Sequence, residues 1–395
     1  MHIIKVALVF IALFYVNSCA SISAKKTNFS SKRIEITPDI SIGKSTERGE
    51  IFLGGFSGLQ FLYKDKNTGN LCFLTHTDRE PNGEVFFKKG KEARVFLLPN
   101  YQPRLAKIEV DLKKNKAWIR EQILLKDKNG QAITGLPNKK PDELPVNENG
   151  GDIPLDSTGL DLESIVIAKD GTYWMGDEYG PSLLHFSREG ILLHRYSPGR
   201  GIPEIFVKRK LNRGFEGLVI IGDKIYAFLQ SPIKKGSLLG RVLEFDLKKK
   251  KTTGQFLYPF DSKKTDKIGD AYAAPDGSIL IIEADSKKGN SAMKFIHRVK
   301  IGDATNLEKL SELDKNIKFE NLTEEELASR NIKPLVKEKV LNLVEAGFTY
   351  SKKAEGLAQV DEKTFAVMND NDFNVNGSDE SFQSEKSYLL LIAVP

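Results

Sequence analysis

Cysteine and histidine are scarce in this chain of 395 residues, which has two cysteines and five histidines. One cysteine, Cys19, ends an N-terminal apolar segment, so removal or lipidation of that segment leaves Cys72 alone. A single cysteine excludes a disulfide framework and a zinc site built on cysteines. The sequence also lacks a His-Glu-x-x-His pair and a P-loop, which excludes zincin proteases and P-loop nucleotide hydrolases.

Long hydrophobic runs are limited to residues 6–16, which are too few to cross a bilayer and have the layout of a secretory signal. Residues 16–19, Val-Asn-Ser-Cys, resemble a bacterial lipobox and predict lipidation of Cys19. Ordinary cleavage near Ala20 or Ala24 is the alternative. We therefore expect export, either as an envelope lipoprotein (periplasmic or on the outer surface) or as a secreted protein. Residues 1–19 are the predicted signal, 20–45 a tether with a candidate closing strand, and 46–395 the main domain.

Charge is not concentrated in one basic helix or stripe, although the net charge is +6 and the pI is near 8.9. The lysines are spread through turns such as residues 246–254, DLKKKKTTG. That distribution does not favour a nucleic-acid face, but it suits a small anionic substrate or a negatively charged membrane. We expect membrane contact only through the lipid anchor, and the oligomeric state stays open.

A strand–turn–strand stretch that begins with an acid recurs along the chain. It is AEGLAQVDEKTFAVMNDND at residues 354–372 and GFEGLVIIGDKIYAFLQSP at residues 214–232. Residues 161–181 and 268–289 repeat it, and residues 54–80 form an outlying copy with Ser57 in place of the acid. Glu163, Glu216 and Asp270 are 53 and 54 residues apart, close to the period of propeller blades.

Further strand-like segments follow most copies, which gives up to four strands in each unit. The sequence therefore predicts an all-β fold: a single β-propeller with five or six four-stranded blades. The last copy is followed only by SYLLLIAVP, so its fourth strand is expected from residues 33–36, which would join the N-terminal and C-terminal strands. A capping-box pair, Thr323 and Glu326, predicts a short helix.

The repeated acids Glu163, Glu216, Asp270 and Glu355 would gather at one mouth of a propeller channel. They could simply be recurring turn residues, but several buried carboxylates together are costly without a cation. Oxygen ligands without nearby cysteine or histidine suit calcium better than magnesium. Asp372, Asn374, Asn376 and Gly377 also match the start of a calcium loop, although Gln383 stands where such a loop has Glu, and an unliganded Asn-rich turn is an equal alternative.

With GDEYGP, NRGFEGL and NDNDF in view, the chain resembles the phytase-like esterase family, bacterial β-propeller proteins related to calcium-dependent β-propeller phytases. The resemblance runs from about residue 54 to the C-terminus. It implies hydrolysis of a phosphate ester or another ester, with basic side chains gripping the substrate at Arg79 and Arg213. It also implies that acids bind calcium or hold the catalytic water; these are Glu163, Glu178, Glu216, Glu355, Asp370 and Asp372. Ser57 departs from the acidic pattern and argues against a fully symmetric metal ring.

Two other functions stay open. Ser57 and His76 could form part of a serine esterase site, but Gly-Phe-Ser-Gly is not the Gly-x-Ser-x-Gly elbow, and strand residues without catalytic roles explain them better. A propeller with structural calcium could instead bind an envelope ligand without catalysis, with Trp174 and Tyr179 available for stacking.

Overall fold

The computed structural model describes residues 29–79, 81–138, 143–265, 267–310, 317–375 and 385–395. The predicted signal and the lipidation of Cys19 lie outside these residues, as do Asn376, Gly377 and Gln383 of the predicted calcium loop. None of the helices formed by the described residues has the length and apolar character needed to traverse a bilayer.

The protein is all-β, as predicted, with mainly antiparallel sheets. Sheet I contains β4 (Phe56–Lys64), β5 (Leu71–Thr77), β8 (Arg104–Asp111) and β9 (Lys116–Leu124). Sheet II contains β11 (Leu162–Ile167), β12 (Tyr173–Asp177), β13 (Ser182–Phe186), β14 (Leu192–Pro198) and β15 (Gly201–Ile202). Sheet III contains β16 (Phe215–Ile221), β17 (Lys224–Leu229), β18 (Leu239–Asp246) and β19 (Lys251–Pro259).

Sheet IV contains β20 (Lys267–Ala273), β21 (Ile279–Ala284), β22 (Lys294–Lys300) and β23 (Val336–Asn342). Sheet V contains β24 (Ala354–Asp361), β25 (Thr364–Asn369), β26 (Tyr388–Ala393) and β1 (Ser30–Glu35). The pairing of β1 with β26, from Ser30 opposite Ala393 to Glu35 opposite Tyr388, confirms the predicted union of the two chain ends.

Smaller elements lie between these sheets. Two of them, which the sequence did not predict, are the hairpin of β2 (Ser41–Ser45) and β3 (Gly49–Phe52) and the sheet of β6 (Asn82–Lys88), β7 (Lys91–Phe96) and β10 (Leu144–Val146). Short 3-10 helices span Glu204–Lys208, Leu307–Lys309, Phe319–Asn321 and Asp372–Asn374. The helix α1 (Glu324–Ser329) has the predicted capping box between Thr323 and Glu326.

Strand hydrophobicity explains how the five sheets pack. Successive residues of a strand point to opposite faces, so an almost continuously apolar strand packs against a neighbour on each side. In β17, Ile225 and Ala227 join the core shared with sheet II, while Tyr226 and Phe228 join the core shared with sheet IV. One such core fills the space between each pair of successive sheets, including sheets V and I.

The first strands of the five sheets are neighbours in order: β4 lies beside β11, β11 beside β16, β16 beside β20, β20 beside β24, and β24 beside β4. This propeller-like arrangement brings the starts of five chain segments, far apart in sequence, to one place. The repeated acids stand at these starts.

Candidate functional site

A bulge positions the repeated glutamates. In β11, β16 and β24 the pairing with the next strand skips one residue, and the skipped residues are Glu163, Glu216 and Glu355. A bulge residue has no cross-strand partner, and its side chain is turned away from the regular alternation. All three glutamates are buried, so the bulges direct their carboxylates into the protein rather than to solvent.

Asp270 is not equivalent to these glutamates. The bulge of β20 skips Gly269, and that of β4 skips Gly58, so Asp270 lies one residue beyond the equivalent position. Its carboxylate accepts backbone N–H groups of Ala271 at 2.7 Å and Leu357 at 2.8 Å, which braces β20 against β24. The alignment of Asp270 with the three glutamates is therefore wrong by one residue, and the groups of close acids found among the described residues do not include it.

A cavity of about 330 Å³ lies where the first strands meet, and we call it the acidic cavity. Its wall combines both signs of charge. The basic side chains are Arg79, Arg94, Arg213, Lys267 and Lys353. The acids are Asp78, Asp161, Glu163, Glu178, Glu355 and Asp372. The cavity thus collects six of the predicted site residues, whereas Glu216, Asp270 and Asp370 do not line it.

Asp78, Asp161 and Glu163 form the first close set of acids, which we call the Asp161 group. One carboxylate oxygen of each lies within 4.8 Å of the others. Asp161 is 1% exposed, and neither of its oxygens has a hydrogen-bond partner; Arg79 Nη1 is 3.3 Å from Oδ2 without hydrogen-bond geometry. Burial, reinforced by Asp78, raises the pKa of Asp161 and Glu163 well above the usual range. Arg79 is the ion-pair partner of Asp161, so three carboxylates face one guanidinium, which also pairs with Glu143, and the group keeps an excess of acids.

Asp78, Asp370 and Asp372 form the second close set, which we call the Asp370 group. Here the protein supplies a cation. Lys353 Nζ bonds to Asp370 Oδ2, lies 2.6 Å from Asp372 Oδ1, and is 3.8 Å from Glu355 Oε2. Burial alone would lower the pKa of Lys353, but Asp370 and Asp372 outweigh it and raise that pKa, so the lysine stays charged.

Glu178 and Glu216 are two further buried glutamates near these groups, and the pKa of each is raised. Burial raises the pKa of Glu178 to about 7, although Arg79 opposes that shift. Glu216 accepts a hydrogen bond of 2.6 Å from Gln230 through Oε2, while its Oε1 is buried without a partner. Burial, together with the neighbouring charges of Glu355 and Glu178, raises the pKa of Glu216.

The two predicted substrate-gripping arginines differ in their contacts. Arg79 is buried and its guanidinium is already bound within the protein: Nη1 donates to Glu143 at 2.7 Å, and the guanidinium lies over the Tyr179 ring. Arg213 lines the cavity, is partly exposed, and has a buried Nη1 with no hydrogen-bond partner. Arg213 is therefore the better placed of the two to meet an anion, and Arg79 acts mainly as a fixed positive charge.

Sequence reasoning missed Asp78, Asp161, Lys267 and Lys353 as site residues. A signal was present for the two lysines, because each precedes a repeated acid by two or three residues, as Arg213 does for Glu216. The same offset leads to Asp161, two residues before Glu163. Such residues lie at the start of a first strand or just before it, where they line the same cavity.

The serine alternative finds no support in the contacts. Ser57 and His76 are paired across β4 and β5, but no hydrogen bond joins them. The Ser57 hydroxyl lies 3.4 Å from Glu163 Oε2, and His76 Nδ1 is 3.1 Å from the Thr77 carbonyl. Burial lowers the pKa of His76 to about 4, which makes it a poor base at neutral pH.

Comparison with known proteins finds one family model that matches most of the chain. The model is described as "Phytase-like: Esterase-like activity of phytase" and matches residues 51–373. A curated relative, an uncharacterized secreted protein of Arthroderma benhamiae, is 29% identical over 184 residues. That match covers 34% of this chain and 36% of the relative, so the chain spans about a third of its length.

Solved structures of several enzymes share a distant likeness. A luciferin-regenerating enzyme has a TM-score of 0.40 at 10% identity, covering 92% of this chain and 95% of that one. An aldose sugar dehydrogenase with bound PQQ, from Streptomyces coelicolor, has a TM-score of 0.37 at 11% identity, with 93% and 99% covered. Virginiamycin B lyase from Staphylococcus aureus has a TM-score of 0.31 at 9% identity, with 93% and 100% covered. Likeness at this level says nothing about activity.

Proposed function

The chain belongs to the Phytase-like family, described by esterase-like activity of phytase, and on that premise we propose that it is an exported, calcium-dependent hydrolase of phosphate esters or other esters. The acidic cavity is its proposed site. The observation that carries the proposal is the Asp161 group: three close carboxylates, one of them 1% exposed, whose two oxygens accept no hydrogen bond and have one ion-pair contact, to Arg79 at 3.3 Å. Burying three carboxylates against a single arginine is costly unless a further cation is bound.

The donor set of the Asp161 group fits calcium. Its close donors are carboxylate oxygens, and calcium takes six to eight hard oxygen ligands in flexible geometry. Asp78, Asp161 and Glu163 would hold the ion, and the raised pKa values of Asp161 and Glu163 support this because a bound cation would restore their ionised forms. When bound, such an ion neutralises developing negative charge and lowers the pKa of water.

The chain's own residues would bind the substrate and move protons. Arg213 offers an unpartnered Nη1 to an anionic group, and an arginine fork binds phosphate oxygens through two parallel hydrogen bonds. Lys267, 3.8 Å from Glu355, adds a second positive charge on the wall. Glu178, with a pKa of about 7, can hold or release a proton near neutral pH, as a general acid or base requires.

The scaffold we propose for this site is a five-bladed propeller. Five sheets of four or five strands, first strands that neighbour one another in order, and a core between sheets V and I support that count. Inner strands around one axis would explain why acids from separate sheets share one cavity.

Export and lipid anchoring are part of the proposal. The relative described as secreted and the N-terminal apolar run of residues 6–16 support export. Anchoring through Cys19 remains a proposal from the lipobox-like residues 16–19. Mass spectrometry of the exported protein would detect a diacylglyceryl group on Cys19, and a mature chain that begins downstream of Cys19 would contradict it.

The direct test is hydrolysis of a panel of aryl phosphates and aryl esters by the purified protein, with calcium and with a chelator. We expect turnover of one class that needs calcium. Glu163→Gln should lose turnover because it removes a proposed ligand, and Arg213→Met should raise KM because it removes a substrate contact. Glu362→Gln, at the exposed tip of the β24–β25 hairpin, is the matched control and should behave as the parent does.

Two results would contradict the proposal. Turnover that survives calcium removal would mean that the cation is not required. Absence of turnover on every substrate, with calcium still raising the melting temperature of the parent but not of Glu163→Gln, would instead identify a ligand-binding protein with structural calcium.

A further inference from the structure

The two close sets of acids at the cavity, the Asp161 group and the Asp370 group, differ in their contacts with positively charged side chains. Both contain Asp78, and both bring three carboxylate oxygens within 4.8 Å. In the Asp370 group a positively charged side chain bonds directly to two of the acids, because Lys353 reaches Asp370 and Asp372 from the segment that precedes β24. In the Asp161 group Arg79 Nη1 lies farther off, 3.3 Å from Asp161 Oδ2, and makes no hydrogen bond to it. A lysine on a mobile surface segment would pair with these acids only transiently, whereas a lysine on an anchored backbone would be a fixed part of the site.

The ammonium of Lys353 lies where a cation ligated by this group would lie. It bonds to Asp370 Oδ2 and is 2.6 Å from Asp372 Oδ1, close to the ligand distance of calcium, which is about 2.3–2.6 Å. Asp370 is 1% exposed and the Lys353 side chain is 31% exposed, so the carboxylate of this pair is sheltered from water while the lysine borders the cavity. A dication could not use these oxygens while the ammonium remains, because like charges that close repel strongly in a buried site.

The backbone leading to Lys353 is anchored, which distinguishes it from a mobile surface lysine. Lys294, with a side chain 0% exposed, donates to the Lys352 carbonyl at 2.9 Å and to the Asp285 carbonyl at 3.0 Å. The Lys353 N–H donates to Ser351 Oγ at 3.1 Å. The fold therefore uses one fully buried lysine to hold the backbone from which the second lysine extends.

We propose that Lys353 is the resident cation of the Asp370 group, so that the cavity takes a single divalent cation, on the Asp161 group. Removal of the lysine charge would open the second position to calcium. This inference rests on the proposed function, since it presumes that the cavity takes a cation. It goes further by fixing the number of ions and by giving the Asp370 group an internal positive charge in place of a metal.

The test counts bound calcium rather than activity. Equilibrium dialysis followed by elemental analysis of the purified protein should give one ion for the parent and two for Lys353→Met. Lys352→Met is the matched control, because it makes the same change at the adjacent, exposed lysine and should leave one ion. Lys353→Arg retains the positive charge and should also bind one ion.

The double variant K353M/D370N keeps the test decisive where Lys353→Met does not fold. It removes both members of the buried pair, so it should fold without calcium and bind one ion; two ions in it would overturn the inference. Two ions in the parent, or one in folded Lys353→Met, would also overturn it while leaving the proposed function intact. No bound ion in the parent would overturn the calcium dependence itself.

Discussion

The Asp161 group and a second cluster, Asp261, Glu283 and His297 in sheet IV and the loop before it, share the same close spacing of potential ligand atoms, within 4.8 Å. Their surroundings differ. We call the second cluster, with its hydrogen-bond partners, the Glu283 network. Glu283 is 0% exposed and accepts from Lys337 at 2.5 Å, Thr265 at 2.7 Å and Tyr258 at 2.9 Å. Each of its oxygens therefore has a donor.

The electrostatics follow those contacts. Burial would raise the pKa of Asp261, but hydrogen bonding and attraction to Lys337 lower it, whereas burial raises the pKa of Asp161 well above its usual range. Proximity of acids is thus not evidence of a metal site by itself. What distinguishes the Asp161 group is a carboxylate, Asp161, that the fold buries with no hydrogen-bond donor to either oxygen. The Glu283 network shows how the same fold satisfies a carboxylate when no ligand is needed.

The largest expected effect comes from breaking the Glu283 network. Glu283→Gln should lower the free energy of unfolding by about 4 kcal/mol. It removes one of the two carboxylates that pair with Lys337 and sets an amide NH2 group against the buried donors Tyr258 and Thr265. Calcium should still raise the melting temperature as it does in the parent. Denaturant unfolding with and without calcium measures both quantities, and Glu362→Gln serves as control. A calcium response lost in Glu283→Gln would mean that the network, not the cavity, holds the ion.

The second effect is a pH dependence with opposite signs in the two regions. Burial raises the pKa of Glu178 from 4.5 in the unfolded chain to about 7 in the folded protein. Below pH 4.5 the group is protonated in both states and does not affect the free energy of unfolding. Above pH 7 it is ionised in both states, and the buried charge lowers the free energy of unfolding by its full amount. Without calcium, stability should fall across that interval by about 3 kcal/mol. Asp261, with a lowered pKa, instead contributes stability that is present above its unfolded value of 3.8 and lost as the pH falls below it.

Denaturant unfolding at a series of pH values, in the presence of a chelator, measures this dependence. Glu178→Gln should flatten the decline between pH 4.5 and pH 7, because it removes the titrating group. Saturating calcium should also reduce the decline if the cavity acids are neutralised by the ion. A parent stability that rises through this interval would contradict the assignment of buried, unbalanced carboxylates.

The third effect is on calcium binding by the Asp161 group. Asp161→Asn should weaken calcium binding by about a hundredfold, or about 2.7 kcal/mol, since even indirect partners of a bound metal are worth ten to a hundredfold. The same change should raise the stability of the calcium-free protein, because it removes a buried carboxyl group whose ionisation burial disfavours despite the contact with Arg79. Isothermal titration and unfolding measure the two terms, with exposed Asp303→Asn as control. Destabilisation of the calcium-free protein by Asp161→Asn would indicate a purely structural acid.

The sequence predicted much of this fold but less of the site, and the bulges explain the difference. Hairpin turns, apolar strands and the joining of the chain ends follow from local composition, so the sequence itself shows the copies of the repeat. Side-chain direction depends on a one-residue register, which a bulge changes without any sequence marker. Asp270 and Glu216 therefore look equivalent in sequence, yet Gly269 stands at the bulge and Asp270 braces the backbone.

Partners that meet across sheets could not be predicted for a further reason. Lys353 and Asp370 are brought together by the β24–β25 hairpin, but Asp78 reaches the same group from sheet I. The donors that satisfy Glu283 likewise come from residues 258, 265 and 337, on different segments. Whether a carboxylate is balanced is a property of those long-range contacts, and single-sequence patterns contain no record of them.

The smallest expected effects come from removing a hydroxyl donor in each of the two regions. Thr265 donates to Glu283 at 2.7 Å, and Ser57 lies at a longer 3.4 Å from Glu163. Thr265→Val should therefore cost about 1 kcal/mol of stability and Ser57→Ala less, because hydrogen-bond strength falls as the distance lengthens. Turnover in Ser57→Ala should fall by less than about tenfold, since the hydroxyl only touches a proposed ligand. A loss of about a thousandfold or more, measured by steady-state kinetics with the panel substrates, would instead make Ser57 a nucleophile and revive the serine esterase.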